Sequence, residues 1–355
     1  MRTRVIKIDP QYPDPALLKE VAAMLKKGGL VIMPTETVYG IAADMQNKLA
    51  MERLAKIKER PKGKPFSLHI AEKVKVEDFV SDIPLSAHKL IYKFWPGPLT
   101  LIFKAKNEDS VGIRMPDQEV ALKLIMMSAA TIVCPSANLA GKTPPKNCEE
   151  ALVDLDGLVD IAVDCGAAVL GKESTVVDVR PEIPVVKREG AVNRGDIEQT
   201  LKNKIVLFVC TGNSCRSVMA QALLTKRLKD KARTDVEVLS RGIMMLEGLK
   251  ASAETAALLA QEGADVSDHR SQRVSRELLQ RADLILVMER IHEQKILEIE
   301  PKVRNRLFLL KEFTRIDVKQ ANDLEVPDPI GRSEGFYEDT FAMIKEAVSR
   351  IAEVI

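Results

Sequence analysis

The chain alternates short apolar runs with longer amphipathic stretches, and the character of that alternation changes once along its length. Between Leu30 and Arg188 the runs Leu30–Met33, Ser67–Ile70, Leu99–Phe103, Val111–Arg114, Ile132–Cys134, Ala162–Asp164, Thr175–Val179 and Val185–Lys187 are bounded by Pro, Gly or Asn, which predicts strands. Helical faces fall between some of them. Leu17, Val21, Ala22 and Leu25 share one that stops at Gly28-Gly29, and Ala121, Leu122, Leu124 and Ile125 form another. The irregular order predicts an α/β domain with an open, twisted mixed sheet. The stretch Glu189–Lys204 lacks a long apolar run and carries two glycines and several charges, so the boundary is placed near Asn203, giving domains 1–203 and 204–355. Beyond it the pattern is regular. Ile205–Val209 is a continuous apolar run, as a strand buried on both faces of a parallel sheet requires. A helix is predicted from Ser217, and Val236–Leu239, Leu284–Met288 and Leu307–Leu310 supply further strands. Helices around Ser252–Gln261, Val274–Gln280 and His292–Ile299 separate them, with a last one near Tyr337–Val354, which is the order of a doubly wound parallel-sheet domain.

Length and composition agree with two globular domains: 355 residues, 46% hydrophobic and 29% charged, exclude a fibrous or largely disordered chain. A net charge of +2 from 53 basic and 51 acidic residues gives no global attraction to nucleic acid or membrane, so any anion site must be local. The opening MRTRVIKIDPQYPDP has no apolar stretch behind its basic residues, and no later segment approaches the roughly 18–20 apolar residues that span a bilayer. A cytoplasmic protein with no membrane partner is expected. The odd number of cysteines, Cys134, Cys148, Cys165, Cys210 and Cys215, suits reduced thiols.

In the segment IVLFVCTGNSCRSVMAQALL a buried strand delivers Cys210 to the carboxyl edge of the sheet, Thr211–Cys215 form a loop, and Arg216-Ser217 open a helix. Gly212 and Asn213 can take the positive-φ conformations that turn successive N–H groups inward, making an anion nest at the positive end of a helix. The same field favours a thiolate, the nucleophilic form. Arg216 supplies a planar fork for two phosphoryl oxygens. Asp328, held between Pro327 and Pro329, is the candidate proton donor to the leaving group. No second Cys pair or His cluster has the spacing of a zinc site.

Through VCTGNSCRS, SRG at Ser240–Gly242, ADLILVM at Ala282–Met288 and DPIG at Asp328–Gly331, the second domain resembles the low-molecular-weight protein tyrosine phosphatases. The resemblance implies that Cys210 forms a phosphocysteine, Arg216 binds the phosphoryl group, Ser217 hydrogen-bonds the thiolate, Asn213 holds the loop, and Asp328 is acid and then base. No cofactor is implied. Val218 stands where the family usually has Pro. Thr211 follows the nucleophile as in protein arginine phosphatases of this family, so a phosphoarginine substrate stands beside phosphotyrosine; Cys215, within reach of Cys210, is either its partner in a reversible disulfide under oxidation or an inert second thiol. A phosphate-binding regulatory domain with a dead site is the rival reading.

In the first domain, PTETVYG (Pro34–Gly40), IKERPKGKPFSLHI (Ile57–Ile70), PSAN (Pro135–Asn138) and ESTVVDV with REGA (Glu173–Val179, Arg188–Ala191) each lie where a strand meets a loop. Lys58, Arg60, Lys62 and Lys64 concentrate positive charge for a polyphosphate or RNA backbone, while Thr35, Thr37, Ser136, Asn138, Ser174 and Thr175 supply neutral hydrogen-bonding groups. The four segments in this order resemble the YrdC-type threonylcarbamoyl-AMP synthases, whose signature is the pair Lys58, Arg60 and the pair Ser136, Asn138. The resemblance implies an αβ-twist fold that turns ATP, L-threonine and bicarbonate into threonylcarbamoyl-AMP and pyrophosphate, feeding the machinery that transfers threonylcarbamoyl to tRNA. It implies that Lys58, Arg60, Lys64, Ser136, Asn138 and Arg188 bind ATP, and that Thr35, Thr37, His69, Arg114 and Ser174 hold threonine, Arg114 by its carboxylate. Mg²⁺ is expected to ride on the ATP phosphates. The rival is an RNA-binding module that uses the same basic cavity, with weak RNA contact and no chemistry.

Overall fold

The computed structural model describes residues 2–60, 65–107, 109–244, 247–313 and 324–355. The chain divides into two compact units, Met1–Thr200 and Leu201–Ile355.

In the first unit the strands are β1 (Arg4–Lys7), β2 (Val31–Met33), β3 (Gly40–Asp44), β4 (Leu68–His69), β5 (Leu99–Phe103), β6 (Val111–Arg114), β7 (Ile132–Val133), β8 (Ile161–Asp164), β9 (Thr175–Asp178) and β10 (Val185–Arg188). They form one mixed sheet in the order β1-β8-β2-β3-β7-β4-β6-β5-β9-β10. One face is covered by the helices Pro15–Lys26 and Glu119–Ser128, which bury Leu18, Val21, Ala22 and Leu25 with Val120, Ala121, Leu124 and Ile125. The first of these helices starts where Asp14 accepts the Ala16 N–H and Pro15 supplies a preset φ, and the chain leaves it through Gly28 at φ +86°. The second starts where Gln118 accepts the Ala121 N–H. β1 and β3 are additions to the predicted strands. β1 is an edge strand that buries only Ile6, so its pattern reads as polar. β3 reads GIAAD, in which only Ile41 favours a strand, and its Gly40 is required because a Cβ there would lie 2.4 Å from Cys134 Sγ. The stretch Glu189–Lys204 holds a helix, Arg194–Lys202, and the division between the units falls inside it. That helix buries only Ile197, too little for an apolar pattern.

The second unit is a parallel sheet of β11 (Lys204–Cys210), β12 (Val236–Gly242), β13 (Leu284–Val287) and β14 (Leu307–Leu309) in the order β12-β11-β13-β14. Strand pleat explains the continuous apolar run of β11. Val206, Phe208 and Cys210 enter one core with the helices Arg216–Asp230 and Glu334–Val354, while Ile205, Leu207 and Val209 enter the opposite core with Leu278, Leu279 and Ile296. Among the described residues no helix is long and apolar enough to cross a membrane.

Candidate active sites

In the second unit, β11 ends at Cys210 and the next helix begins at Arg216, so the intervening loop sits over the carboxyl edge of the sheet. The turn is set by Asn213 at φ +54°, a conformation Asn tolerates better than most residues, and its side chain is fully buried. The polarity of the hydrogen bonds around it is fixed. Asn213 Oδ1 accepts the Gln272 N–H at 2.9 Å, so Nδ2 is the donor and reaches Ser217 Oγ at 3.0 Å and Ser240 Oγ at 2.8 Å. Having accepted from the amide, Ser217 turns its own proton to Cys210 Sγ at 2.9 Å. Ser240 likewise passes its proton to Gln221 Oε1 at 2.6 Å. His269 Nε2 donates to the Asn213 carbonyl at 2.8 Å and closes the loop from outside. Gly242 ends β12 against this loop; a Cβ there would lie 2.8 Å from the Thr211 carbonyl oxygen.

Arg216 is 1% exposed. Its Nη1 donates to the Val326 carbonyl at 2.9 Å and pairs with Glu289, while Nη2 donates to Thr211 Oγ1 at 3.1 Å and pairs with Asp328. The structure thus gathers Cys210, Thr211, Asn213, Arg216, Ser217 and Asp328 around one loop. The thiol of Cys215 is engaged instead with Ser252 at 3.3 Å and Tyr337 at 3.8 Å, and no disulfide joins any of the five cysteines. Sequence reasoning missed Glu289 and His292. Their signal was present as Glu-x-x-His directly after the strand ADLILVM, a capping-box spacing in which His292 Nδ1 accepts the Glu289 N–H at 3.0 Å.

In the first unit, backbone hydrogen bonds bring the separate motifs together. Ile41 N–H donates to the Pro135 carbonyl at 2.8 Å and Ala137 N–H to the Tyr39 carbonyl at 2.8 Å, so the loop after β2 and the PSAN loop are zipped side by side. Lys58, at the end of the helix Lys48–Ile57, reaches across to them. Its ammonium lies 3.0 Å from the Ser136 carbonyl, 2.7 Å from the Asn138 carbonyl and 3.2 Å from Asn138 Oδ1. Burial, and then the neighbouring Arg60, pull its pKa down to about 8. Lys58 therefore fastens the PSAN loop. The Arg60 guanidinium stacks 4.5 Å above the Phe66 ring.

His69 on β4 and Arg114 on β6 are register partners in a parallel pair. Arg114 donates to Glu36 Oε1 at 2.7 Å in an ion pair whose side chains are 6% and 8% exposed. Burial and Arg114 push the His69 pKa down to about 3, so the ring is neutral, and among the described residues its Nδ1 has no hydrogen-bond partner. The second oxygen of Glu36 has none either. Glu36 was not among the sequence candidates, although it stands between Thr35 and Thr37. Thr35 Oγ1 donates to the Val38 carbonyl at 2.6 Å, so in its 2.9 Å contact with Thr37 the latter is the donor. Ser174 Oγ lies 2.9 Å from Thr100 Oγ1, and its carbonyl accepts from Arg188 Nη2 at 2.9 Å, while Arg188 Nη1 reaches Glu173 at 2.6 Å.

One cleft of about 230 Å³ is lined by Thr35, Lys58, Arg60, His69, Arg114, Ser136, Ser174 and Arg188. Thr37 and Asn138 are buried beside it and hold loops: Asn138 Nδ2 donates to the Leu139 and Lys142 carbonyls at 2.8 and 2.7 Å. Lys64, like Lys62, lies outside the described residues. Among the described residues no group of three or more His, Cys, Asp or Glu side chains could hold a metal ion.

Residues 23–190 match the Sua5/YciO/YrdC family model, described as telomere recombination, and residues 205–355 match that of the low molecular weight phosphotyrosine protein phosphatase. The threonylcarbamoyl-AMP synthase of Bacillus subtilis (strain 168) is 38% identical over 203 residues, 54% of this chain and 57% of the relative. A Methanocaldococcus jannaschii relative, assigned to the same synthase by inference, is 34% identical over 205 residues that span 95% of its length. A solved structure of Pyrococcus abyssi Sua5 complexed with L-threonine matches with a TM-score of 0.54 at 27% identity, over 68% of this chain and 85% of that one. The chain spans little more than half, 57%, of the B. subtilis and P. abyssi synthases it matches in sequence. Both halves thus fall within enzyme families: the chain belongs to the Sua5/YciO/YrdC family through its first unit and carries a low molecular weight phosphotyrosine protein phosphatase domain as its second.

Proposed function

We propose that the first unit is a threonylcarbamoyl-AMP synthase working on Mg²⁺-bound ATP in the cytoplasm. The observation that carries the reading is the single cleft that holds cations and hydroxyls from all four sequence motifs. Threonine and bicarbonate give a carbamate and water; a carbamate oxygen then attacks the α-phosphorus of ATP, the bond to pyrophosphate breaks, and threonylcarbamoyl-AMP remains for transfer to tRNA. Such a displacement needs positioned positive charge more than a side-chain nucleophile. Arg60 and Arg188, with the Ser136 loop fastened by Lys58, are assigned to ATP. Arg114 and His69, with Thr35 and Ser174, are assigned to threonine, and the relatives that bear the synthase name support the synthase reading. Pyrophosphate release from ATP is expected to require both threonine and bicarbonate, and Arg60→Ala is expected to lower it about 10²-fold. Release that ignores either co-substrate, or RNA binding without release, would instead establish the binding-module reading.

The second unit is proposed as a Cys-dependent phosphatase of a phosphorylated protein. Cys210 attacks phosphorus, Arg216 holds the phosphoryl oxygens, and Asp328 protonates the leaving group and then activates water. Thr211 decides between phosphotyrosine and phosphoarginine. Comparing turnover of the two substrates by wild type and Thr211→Ile tests this: the larger side chain should shift preference toward phosphotyrosine about tenfold, and an unchanged ratio would remove Thr211 from the choice.

A further inference from the structure

His292 is fully buried behind the Cys210 loop, and the direction of every hydrogen bond it makes can be assigned. Its Nδ1 accepts the Glu289 backbone N–H at 3.0 Å and so carries a lone pair. Burial and the nearby Arg216 push its pKa down to about 3, so at neutral pH the ring bears one proton, and that proton is on Nε2. Nε2 lies 2.9 Å from Thr211 Oγ1 and is therefore the donor. Arg216 Nη2 also donates to Thr211 Oγ1, at 3.1 Å. A hydroxyl oxygen has two lone pairs, and both are occupied. The hydroxyl of the residue directly after the nucleophile is left with its proton alone, beside the guanidinium assigned to the phosphoryl group.

We propose that His292 is a positioning residue of the phosphatase site, which by donating to Thr211 turns that hydroxyl into an obligate donor toward a phosphoryl oxygen. The inference rests on the phosphatase reading of the second unit. Without the imidazole N–H, Thr211 is free to point its proton at the vacated position and to present a lone pair to the incoming anion. The loop then loses one neutral donor and meets a repulsive dipole in its place.

Two substitutions separate this role from the capping role that His292 also has. His292→Asn keeps an acceptor for the Glu289 N–H and is too short to reach Thr211; His292→Gln reaches Thr211 with an amide N–H and gives up the cap. With an aryl phosphate as substrate and the full-length chain, His292→Asn is expected to lower kcat/KM about tenfold, and His292→Gln to keep most of it. In a Thr211→Val background His292→Asn should cost nothing further. The proposal is overturned if His292→Gln is the worse variant, or if the loss on His292→Asn is as large with Thr211→Val as without it. Circular dichroism checks that each variant is folded; should His292→Asn not fold, His292→Gln against His292→Leu in the same two backgrounds gives the same comparison. A wild-type protein that turns over neither an aryl phosphate nor a phosphoarginine peptide overturns the phosphatase reading instead, and the cycle is then read as affinity for inorganic phosphate.

Discussion

Cys210→Ser is expected to abolish turnover of an aryl phosphate, by about 10⁴-fold or more, as removal of a catalytic nucleophile does. The serine would still fit at the end of β11 and would still accept a proton from Ser217, now at 2.9 Å from the sulfur. An alcohol oxygen is a far weaker nucleophile than sulfur at this position, so attack on phosphorus is lost while the loop is kept. Inorganic phosphate should therefore bind the variant about as well as wild type, through Arg216 and the loop amides, measured by calorimetric titration. Threonine- and bicarbonate-dependent pyrophosphate release should also persist, because every residue lining that cleft belongs to the first unit. Residual turnover above about one part in 10² would place the nucleophile elsewhere, since the loop and its donors alone supply only a small part of such a rate.

The sequence was most informative where burial is two-sided and the chemistry is local. β11 and the loop behind it could be read because an uninterrupted apolar run, a loop rich in turn formers and a following helix have few alternative structures. The first unit was harder. Its sheet includes β1, which buries only Ile6, and β3, in which Ile41 alone favours a strand, so neither carries a strand pattern strong enough to see. Site residues divided in the same way. Cys210, Arg216 and Asp328 are recognisable by chemical type, and the structure brings them together. Thr37 and Asn138 share motifs with the cleft residues, yet their side chains are spent on the Thr35 hydroxyl and on loop carbonyls, and Lys58, which does line the cleft, also fastens the loop opposite, distinctions that depend on rotamers. Glu36, Glu289 and His292 act through partners 78, 73 and 81 residues away in sequence, and no local pattern encodes such pairings.

Glu36→Ala is expected to destabilise the first unit by about 3–5 kcal/mol. Glu36 and Arg114 have side chains only 8% and 6% exposed and meet at 2.7 Å, so their attraction is poorly screened and neither charge is well hydrated. Removing the carboxylate leaves a buried guanidinium whose other protein hydrogen bond runs from Nε to the Gly97 carbonyl at 3.3 Å. For a unit of this size each 1 kcal/mol is worth about 2–4 °C, so scanning calorimetry of the full-length chain should show its transition fall by roughly 6–20 °C. Aryl phosphate turnover at 25 °C serves as the internal control and should not change. The cost is the orphaned charge, not the loss of a favourable pair as such, and a second substitution distinguishes the two. Glu36→Leu combined with Arg114→Met removes both charges and should recover most of the lost stability, because two apolar side chains of similar volume need no desolvation of ions. Synthase activity should be absent in that double variant, since Arg114 is the residue assigned to the threonine carboxylate. Were Glu36→Ala to shift the transition by less than about 2 °C, Arg114 would have to reach solvent or another anion in the folded protein, and the cleft around it would be more open than its burial indicates.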